Sequence, residues 1–324
     1  MRIALRRPQH QGNLGDELMV RAALQGLSGY CVDIVTSITT REYDAIIDCC
    51  GYAYTDAWGP GNAVRFAQEL EHYTSHATCV ILLPQTYGPF HNEETRRAMQ
   101  SIMRRAQHVY ARDATSLDWL QRIQPTNAAP ISMAPDITVG IKGKAGNAML
   151  PGDIAIIPNV HMFRLHDDRS VYLQFLERVC AVLRDNAFTP FLMMHDHLDD
   201  KLIEEFSVRS SLPIVHEEDP VRLKGILGLC KGVVSSRFHG ALNALSQGVP
   251  VLGTAWSHKF NELFAQYRCP EYLVSPSIAQ AELQHIITHM NDTIPTICHA
   301  QEEYERQSRA MWSSLHQMLF CAQS

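Results

Sequence analysis

The residues richest in chemistry form one run, Gly232-Val233-Val234-Ser235-Ser236-Arg237-Phe238-His239-Gly240-Ala241-Leu242, in which an apolar strand passes into a helix with an arginine and a histidine at the junction. Backbone N–H groups at a helix start are unpaired and partly positive, so an anion gains there, and Arg237 adds a planar charge suited to carboxylate or phosphate. His239 supplies a titratable group, since an unperturbed imidazole changes charge near neutral pH and can pass a proton to a bound group. A plainer reading makes Phe238, Ala241, Leu242 and Leu245 a buried helical stripe, Arg237 one half of a surface ion pair and His239 a hydrogen-bonded bystander. That reading would suffice for an isolated Arg-x-His. The strand-to-helix setting and four further loops favour an anion site beside a proton donor, with Ser236 and Gly240 among the residues expected to bind the substrate.

The first of those loops is Gln11-Gly12-Asn13-Leu14-Gly15-Asp16-Glu17, where two glycines precede a helix expected to begin near Asp16. It matches neither GxGxxG nor a P-loop, so by itself it reads as a turn with Asp16 as cap. Pro84-Gln85-Thr86-Tyr87-Gly88-Pro89 and Tyr110-Ala111-Arg112-Asp113-Ala114-Thr115-Ser116 each follow a strand directly. Arg112 and Asp113 are equally consistent with ligand binding and with pairing to each other while Asp113 caps the next helix. Thr254-Ala255-Trp256-Ser257-His258-Lys259 follows the strand after the one that carries Arg237, which brings Lys259 toward the same pocket as a point charge for phosphate. His195-Asp196-His197, with Asp199 and Asp200 behind, invites a metal, but a catalytic zinc needs three convergent ligands and no third is evident. No metal and no cofactor are therefore expected.

Short Val/Ile-rich runs alternate with amphipathic helical patterns along the chain, the signature of parallel βαβ units. One series has strands at 30–36, 45–51, 79–83 and 108–110, with helices around 16–24, 64–72, 93–107 and 115–122. The other has strands at 154–157, 191–194, 214–215, 232–235 and 251–253. Gly140 to Gly152 is punctuated by Gly143, Gly146 and Pro151 and reads as a linker. The expected architecture is α/β: two Rossmann-like, doubly wound parallel-sheet domains at 1–145 and 151–295, facing across a cleft. A helix over 296–324 is expected to return toward the first. In such sheets ligands bind at the carboxyl ends of the strands.

A chain of 324 residues suits two domains, and 46% apolar with 19% charged residues is ordinary globular usage. The formal charge of −6 gives no general attraction to nucleic acid or to anionic membranes. Arg96, Arg97, Arg104 and Arg105 form a local cluster that reads as the solvated face of a helix, opposite Ala98, Met99, Ile102 and Met103. The nine cysteines lack CxxC spacing and several lie in apolar runs, Cys49 and Cys50 among them, so they are expected to be reduced core residues. With no secretory segment at Met1–Arg7 and no long apolar run, a cytoplasmic location is expected.

Taken as an ordered set, these loops resemble the polysaccharide pyruvyl transferase family. The matching residues are Gly12-Asn13-Leu14-Gly15-Asp16, Pro84-Gln85-Thr86-Tyr87-Gly88-Pro89, Ala111-Arg112-Asp113 with Ser116, Pro135-Asp136, Ser235-Ser236-Arg237-Phe238-His239-Gly240, Leu245-Ser246-Gln247-Gly248-Val249-Pro250 and Lys259. Where the family often has a glycine-rich strand end, this chain reads Asp48-Cys49-Cys50-Gly51-Tyr52. The resemblance implies a GT-B-like fold and transfer of the enolpyruvyl group of phosphoenolpyruvate to a sugar, forming a pyruvate ketal on an exopolysaccharide or cell-wall glycan precursor. A lipid-linked saccharide acceptor would bring transient contact with a membrane surface. On that basis His239 is the expected general acid and Asp16 the expected acceptor base, with Asp136 in reserve. Arg237 and Lys259 are expected to bind the donor anion, with Arg112 a weaker third and Asn13, Gly15 and Gln85 lining the site. A GT-B glycosyltransferase using a nucleotide-sugar is the alternative, and a non-catalytic glycan-binding protein a third class.

Overall fold

The computed structural model describes residues 1–9, 12–75, 77–164 and 168–322. The chain divides into two compact units, one comprising Met1–Gln11, Leu18–Gly140 and Glu305–Ser324, the other Gly12–Glu17 and Ile141–Tyr304.

Over the described residues the first unit is built on a six-stranded sheet in the order β2-β1-β3-β4-β5-β6, with every pairing parallel. The strands are β1 (Arg2–Arg6), β2 (Cys31–Val35), β3 (Ala45–Asp48), β4 (Cys79–Gln85), β5 (His108–Ala111) and β6 (Ile131–Met133). They alternate with α1 (Leu14–Gly26), α2 (Gly61–Tyr73), α3 (Glu93–Arg105) and α4 (Ala114–Ile123). β3 and β4 are buried along their whole length, as expected for central strands covered on both faces, while β2 at the edge is partly exposed. α3 shows how the sequence sets a helix. Asn92 caps it by accepting the N–H groups of Glu94 and Thr95, Ala98, Met99, Ile102 and Met103 face the core, and Arg96 and Arg97 pair outward with Glu93.

β1 and β6 have no counterpart in the expected strands. β1 was hidden because arginines stand at both of its ends, yet Arg6 is buried: its Nη1 donates to Asp48 Oδ1 (2.8 Å), Tyr54 Oη (2.9 Å) and Cys50 Sγ (3.0 Å). Glu69 lies 3.7 Å from Arg6 Nε, and the guanidinium sits over the Phe66 ring at 4.3 Å. A short β6 flanked by prolines carries too few residues to signal itself.

The second sheet runs β12-β11-β10-β7-β8-β9, again parallel throughout. Its strands are β7 (Ile154–Ile157), β8 (Pro190–Met193), β9 (Ile214–Val215), β10 (Gly232–Ser235), β11 (Val251–Thr254) and β12 (Leu273–Val274), the last a two-residue edge strand that the sequence reading lacks. The helices are α5 (Ser170–Asp185), α6 (Asp200–Ser210), α7 (Pro220–Leu227), α8 (Phe238–Leu245), α9 (Lys259–Gln266), α10 (Gln280–Thr288) and α11 (Ile294–Cys321). The residues of α11 from Glu305 onward belong to the first unit, where Trp312 packs against Gly26 and His316 stacks on Tyr30. Among the described residues no helix is long and apolar enough to cross a membrane. Cys49, Cys50, Cys79, Cys180, Cys230 and Cys269 are buried thiols.

Removing one member of a buried ion pair strands the other charge, at a typical cost of 3–5 kcal/mol, whereas an exposed pair contributes well under 1 kcal/mol. Asp48→Ala is therefore expected to lower stability by about 3 kcal/mol and Arg97→Ala by under about 0.5 kcal/mol, read from urea midpoints at constant slope. Equal effects of the two substitutions would contradict the assignment of Arg6–Asp48 as the internal tie of the first sheet.

Candidate functional site

In the second sheet the chain enters at β7, builds outward through β8 and β9, and returns to add β10 on the other flank of β7. The strand order reverses between β7 and β10, and in open α/β sheets the crevice beyond the carboxyl ends at such a switch point is where ligands bind. The loops that leave β7, β8, β10 and β11 there carry Asn159, His195 to Asp199, Ser235 to His239 and Trp256 to Lys259.

The β10–α8 junction is held from beneath by hydroxyl groups. Ser235 Oγ accepts the Arg237 N–H (3.1 Å) and donates to the Arg237 carbonyl (2.8 Å). Ser236, expected to face a ligand, is buried instead: its Oγ lies 2.6 Å from Tyr172 Oη and 2.7 Å from Thr254 Oγ1, while its carbonyl accepts from Asn159 Nδ2 (2.9 Å). Gly240 sits where a Cβ would come within 2.7 Å of Ser235 Oγ, so it serves close packing of α8 on the sheet. No side chain caps α8.

Arg237 is neither a surface ion pair nor a surplus cation. It is buried, with Nε donating to Asp199 Oδ2 (2.6 Å) and Nη1 to Asp196 Oδ2 (2.8 Å). One guanidinium between two carboxylates leaves the cluster with a formal charge of −1. Burial raises the Asp199 carboxyl, opposed by its hydrogen bond to Arg237. Nη2 of Arg237 is buried with no hydrogen-bond partner among the described residues, so one end of the fork remains to be satisfied. Lys259, half-buried, holds its ammonium 4.5 Å from the Trp256 ring centroid, 5.4 Å from Phe238 and 6.0 Å from Phe260, a cation–π setting that restrains it.

Two more histidines belong to this cluster. Burial first, then the positive charges of Arg237 and His239, lower the His195 imidazole to about 3; burial, then Arg237, Arg164 and Lys259, lower His161 to about 4. Both are neutral at physiological pH. Neither ring nitrogen of His195 has a hydrogen-bond partner among the described residues.

The glycine loop near the N-terminus groups with this unit. Gly12 adopts φ +92°, a left-handed conformation that glycine takes without strain, and its carbonyl accepts the His197 N–H (3.2 Å). Leu14 N–H donates to the His195 carbonyl (3.1 Å), and Asn13 forms a bridge with Asp196. Asn13, not Asp16, caps α1: its Oδ1 accepts the N–H groups of Gly15 (2.9 Å) and Asp16 (3.4 Å), leaving the Asp16 carboxylate in the first turn rather than at the cap. Gly15 is required by contact, because a Cβ there would fall 2.3 Å from His239 Nδ1.

Gln85, Arg112 and Asp136 belong to the first unit and form a separate buried network. Arg112 Nη1 donates to Asp136 Oδ2 (2.7 Å), its Nη2 and Nε donate to Thr86 Oγ1 (2.6 and 3.1 Å), and Gln85 Nε2 donates to Asp48 Oδ2 (2.7 Å). Asp113 caps α4 by accepting the Ser116 N–H (2.7 Å), as one sequence reading had it, and its other oxygen accepts from Thr86 Oγ1 (3.0 Å), while Arg112 turns to Asp136. Arg112 is thus an internal tie between β5 and the segment after β6, because Asp136 answers its charge. Sequence reasoning missed His161 and Trp256 and read Asp196 and Asp199 only as helix-terminal carboxylates. Asp196 does cap a short turn through the Leu198 N–H, but its main partner, 41 residues away, is not visible in local pattern.

The fold is that of the GT-B glycosyltransferases, a class of transferases. Across 99% of this chain and 100% of that one it is similar to sucrose-phosphate synthase from Thermosynechococcus elongatus, with a TM-score of 0.62 at 14% identity. The Anabaena protein HepE, solved in complex with UDP and glucose, gives a TM-score of 0.56 at 10% identity over 99% of each chain. The chain belongs to the polysaccharide pyruvyl transferase family, whose profile matches residues 13–258, and it is accordingly a transferase. Among proteins of curated function none matches it in sequence.

Two tests follow from this geometry. Gly15→Ala is expected to displace His239 and to cost at least about 1–3 kcal/mol of stability or most of the activity, since the added methyl has no space; a variant with unchanged melting and turnover would refute the contact. The unfolded His195 titrates near 6.5 and the native one near 3. The unfolded chain therefore binds the extra proton between those values, and native stability is lost as pH falls from about 6.5, by on the order of several kcal/mol once near 3. Urea midpoints measured from pH 7 to pH 4 should fall less steeply in His195→Gln than in the wild type.

Proposed function

We propose that this transferase moves the enolpyruvyl carbons of phosphoenolpyruvate onto two hydroxyls of a sugar in an exopolysaccharide or cell-wall glycan precursor, forming a pyruvate ketal. The observation that carries the reading is the convergence, in a chain of the pyruvyl transferase family, of an imidazole, a restrained ammonium and an unsatisfied guanidinium nitrogen at the switch point of one sheet. His239 acts as general acid. It delivers a proton to C3 of the donor, C2 becomes an oxocarbenium centre, and the first sugar hydroxyl adds its oxygen there while giving up its proton. The C2–O bond to phosphate then breaks, inorganic phosphate leaves, and the second hydroxyl closes the ketal with loss of its own proton. Donor phosphate and carboxylate near His239 favour the imidazolium that the first step consumes.

Lys259 is the point charge proposed for the donor phosphate; Arg237, paired with Asp196 and Asp199, contributes Nη2 as a directed hydrogen-bond donor and fixes the loop. Asp16 is the proposed base for the acceptor hydroxyl, in preference to Asp136, which is engaged with Arg112. Asn13 and Gly15 hold the glycine loop against His239. The reaction as written draws its charge stabilisation from these side chains and needs neither metal nor organic cofactor. We place it in the cytoplasm, on a lipid-linked saccharide presented at a membrane surface.

Phosphoenolpyruvate is expected to raise the melting temperature by a few degrees at about 100 times its Kd, with UDP-sugars having no effect. His239→Ala should keep that shift and lose roughly 10²- to 10⁴-fold in turnover, followed as phosphate release. Stabilisation by a nucleotide-sugar alone would overturn the reading in favour of glycosyl transfer.

A further inference from the structure

We propose that Trp256 and Ser257 complete, with Lys259, the subsite for the phosphate group of the donor. The inference rests on the donor assignment above and adds two residues to it. The turn that carries them follows β11 on the ligand-binding edge of the sheet, directly before α9. Nε1 of Trp256 and Oγ of Ser257 are buried atoms with no hydrogen-bond partner among the described residues. A buried polar atom left unpaired is costly, and two on consecutive residues beside a lysine call for a common explanation.

Their chemistry narrows what that partner is. An indole nitrogen donates and cannot accept, an ammonium only donates, and a seryl hydroxyl can turn to donate. Three donors on one short turn, one of them charged, match a group made of several acceptor oxygens, as a phosphate is. The donors are also held in place. Lys259 Nζ rests over the Trp256 ring at 4.5 Å, and the indole is wedged between His161, 4.9 Å away between ring centroids, and Phe260, 6.3 Å away. The aromatic faces strip water from one side of the ammonium, so its attraction for an anion on the other side is less screened than at an open surface. Such preorganisation lets an anion bind without first ordering the side chains that receive it.

The test separates the indole N–H from the ring. Trp256→Phe keeps an aromatic face for Lys259 and removes the donor; Ser257→Ala removes the hydroxyl. Inorganic phosphate, the proposed product, serves as competitive inhibitor against phosphoenolpyruvate, and pyruvate serves as a probe with the carboxylate but no phosphate. Each substitution is expected to raise the inhibition constant of phosphate and the KM for phosphoenolpyruvate by about tenfold, the worth of one hydrogen bond to a charged group, and the pair together by roughly a hundredfold. Inhibition by pyruvate and the melting temperature should stay within about twofold and about 2 °C of wild type. Phosphate inhibition unchanged in both variants, or weakened equally with that of pyruvate, overturns the subsite while leaving the donor assignment standing. Failure of phosphoenolpyruvate to stabilise the wild-type protein overturns both.

Discussion

The candidate site depends on the placement of one guanidinium between two carboxylates. Arg237 leaves β10 in extended conformation and reaches Asp196 and Asp199, which follow β8, so two strand ends on either side of β7 are tied by charge-assisted hydrogen bonds of 2.6 and 2.8 Å. The same stretch of chain supports the rest. The His195 carbonyl and the Asp196 backbone anchor the glycine loop at residues 12–14, and that loop sets Gly15 against His239. A buried ion cluster costs desolvation energy for each of its members, and a hydrophobic replacement would often be as stable. Its persistence at a strand switch point agrees with a role in fixing geometry rather than in holding the domain together.

That balance of charge reshapes the expected anion site. With Arg237 bonded to both Asp196 and Asp199, its remaining contribution to a ligand is the direction of one N–H group more than net charge. His195 and His161, held neutral by burial and by these same cations, add no charge of their own below physiological pH until strongly acid conditions. The His239 ring packs so close to the glycine loop that a Cβ on Gly15 would fall 2.3 Å from its Nδ1. Such a site keeps its polar groups in place by internal pairing before any ligand arrives.

Much of this was legible in the residues. Alternation of Val/Ile runs with helical stripes gave two parallel sheets, and the Ser-Ser-Arg-Phe-His-Gly run located the switch point of the second. What escaped did so for physical reasons. β1 escaped because Arg6 looks like a surface residue until Asp48, 42 positions on, is brought beside it. Arg112 and Arg237 both looked like ligand-facing cations because their carboxylate partners come from other strands, and a one-dimensional pattern carries no record of such pairings. Trp256 carried no reading of its own because the meaning of its ring lies in the lysine three residues later, which the turn before α9 brings over it. Local periodicity reports which face of an element is apolar; it is silent on which polar groups arrive from elsewhere to meet.

The membership of Gly12–Glu17 in the second unit bears on how this chain can be dissected. A fragment beginning at Ile141 would contain every strand of its sheet and still lack the residues that take up the His195 carbonyl and cover one face of the His239 ring. The second unit is thus not a contiguous piece of chain: its opening stretch, residues 12–17, is synthesised before the partners it meets, the first of them some 180 residues later. A short peptide spanning that opening is the missing part such a fragment would have to recruit, much as a split protein recovers its complement.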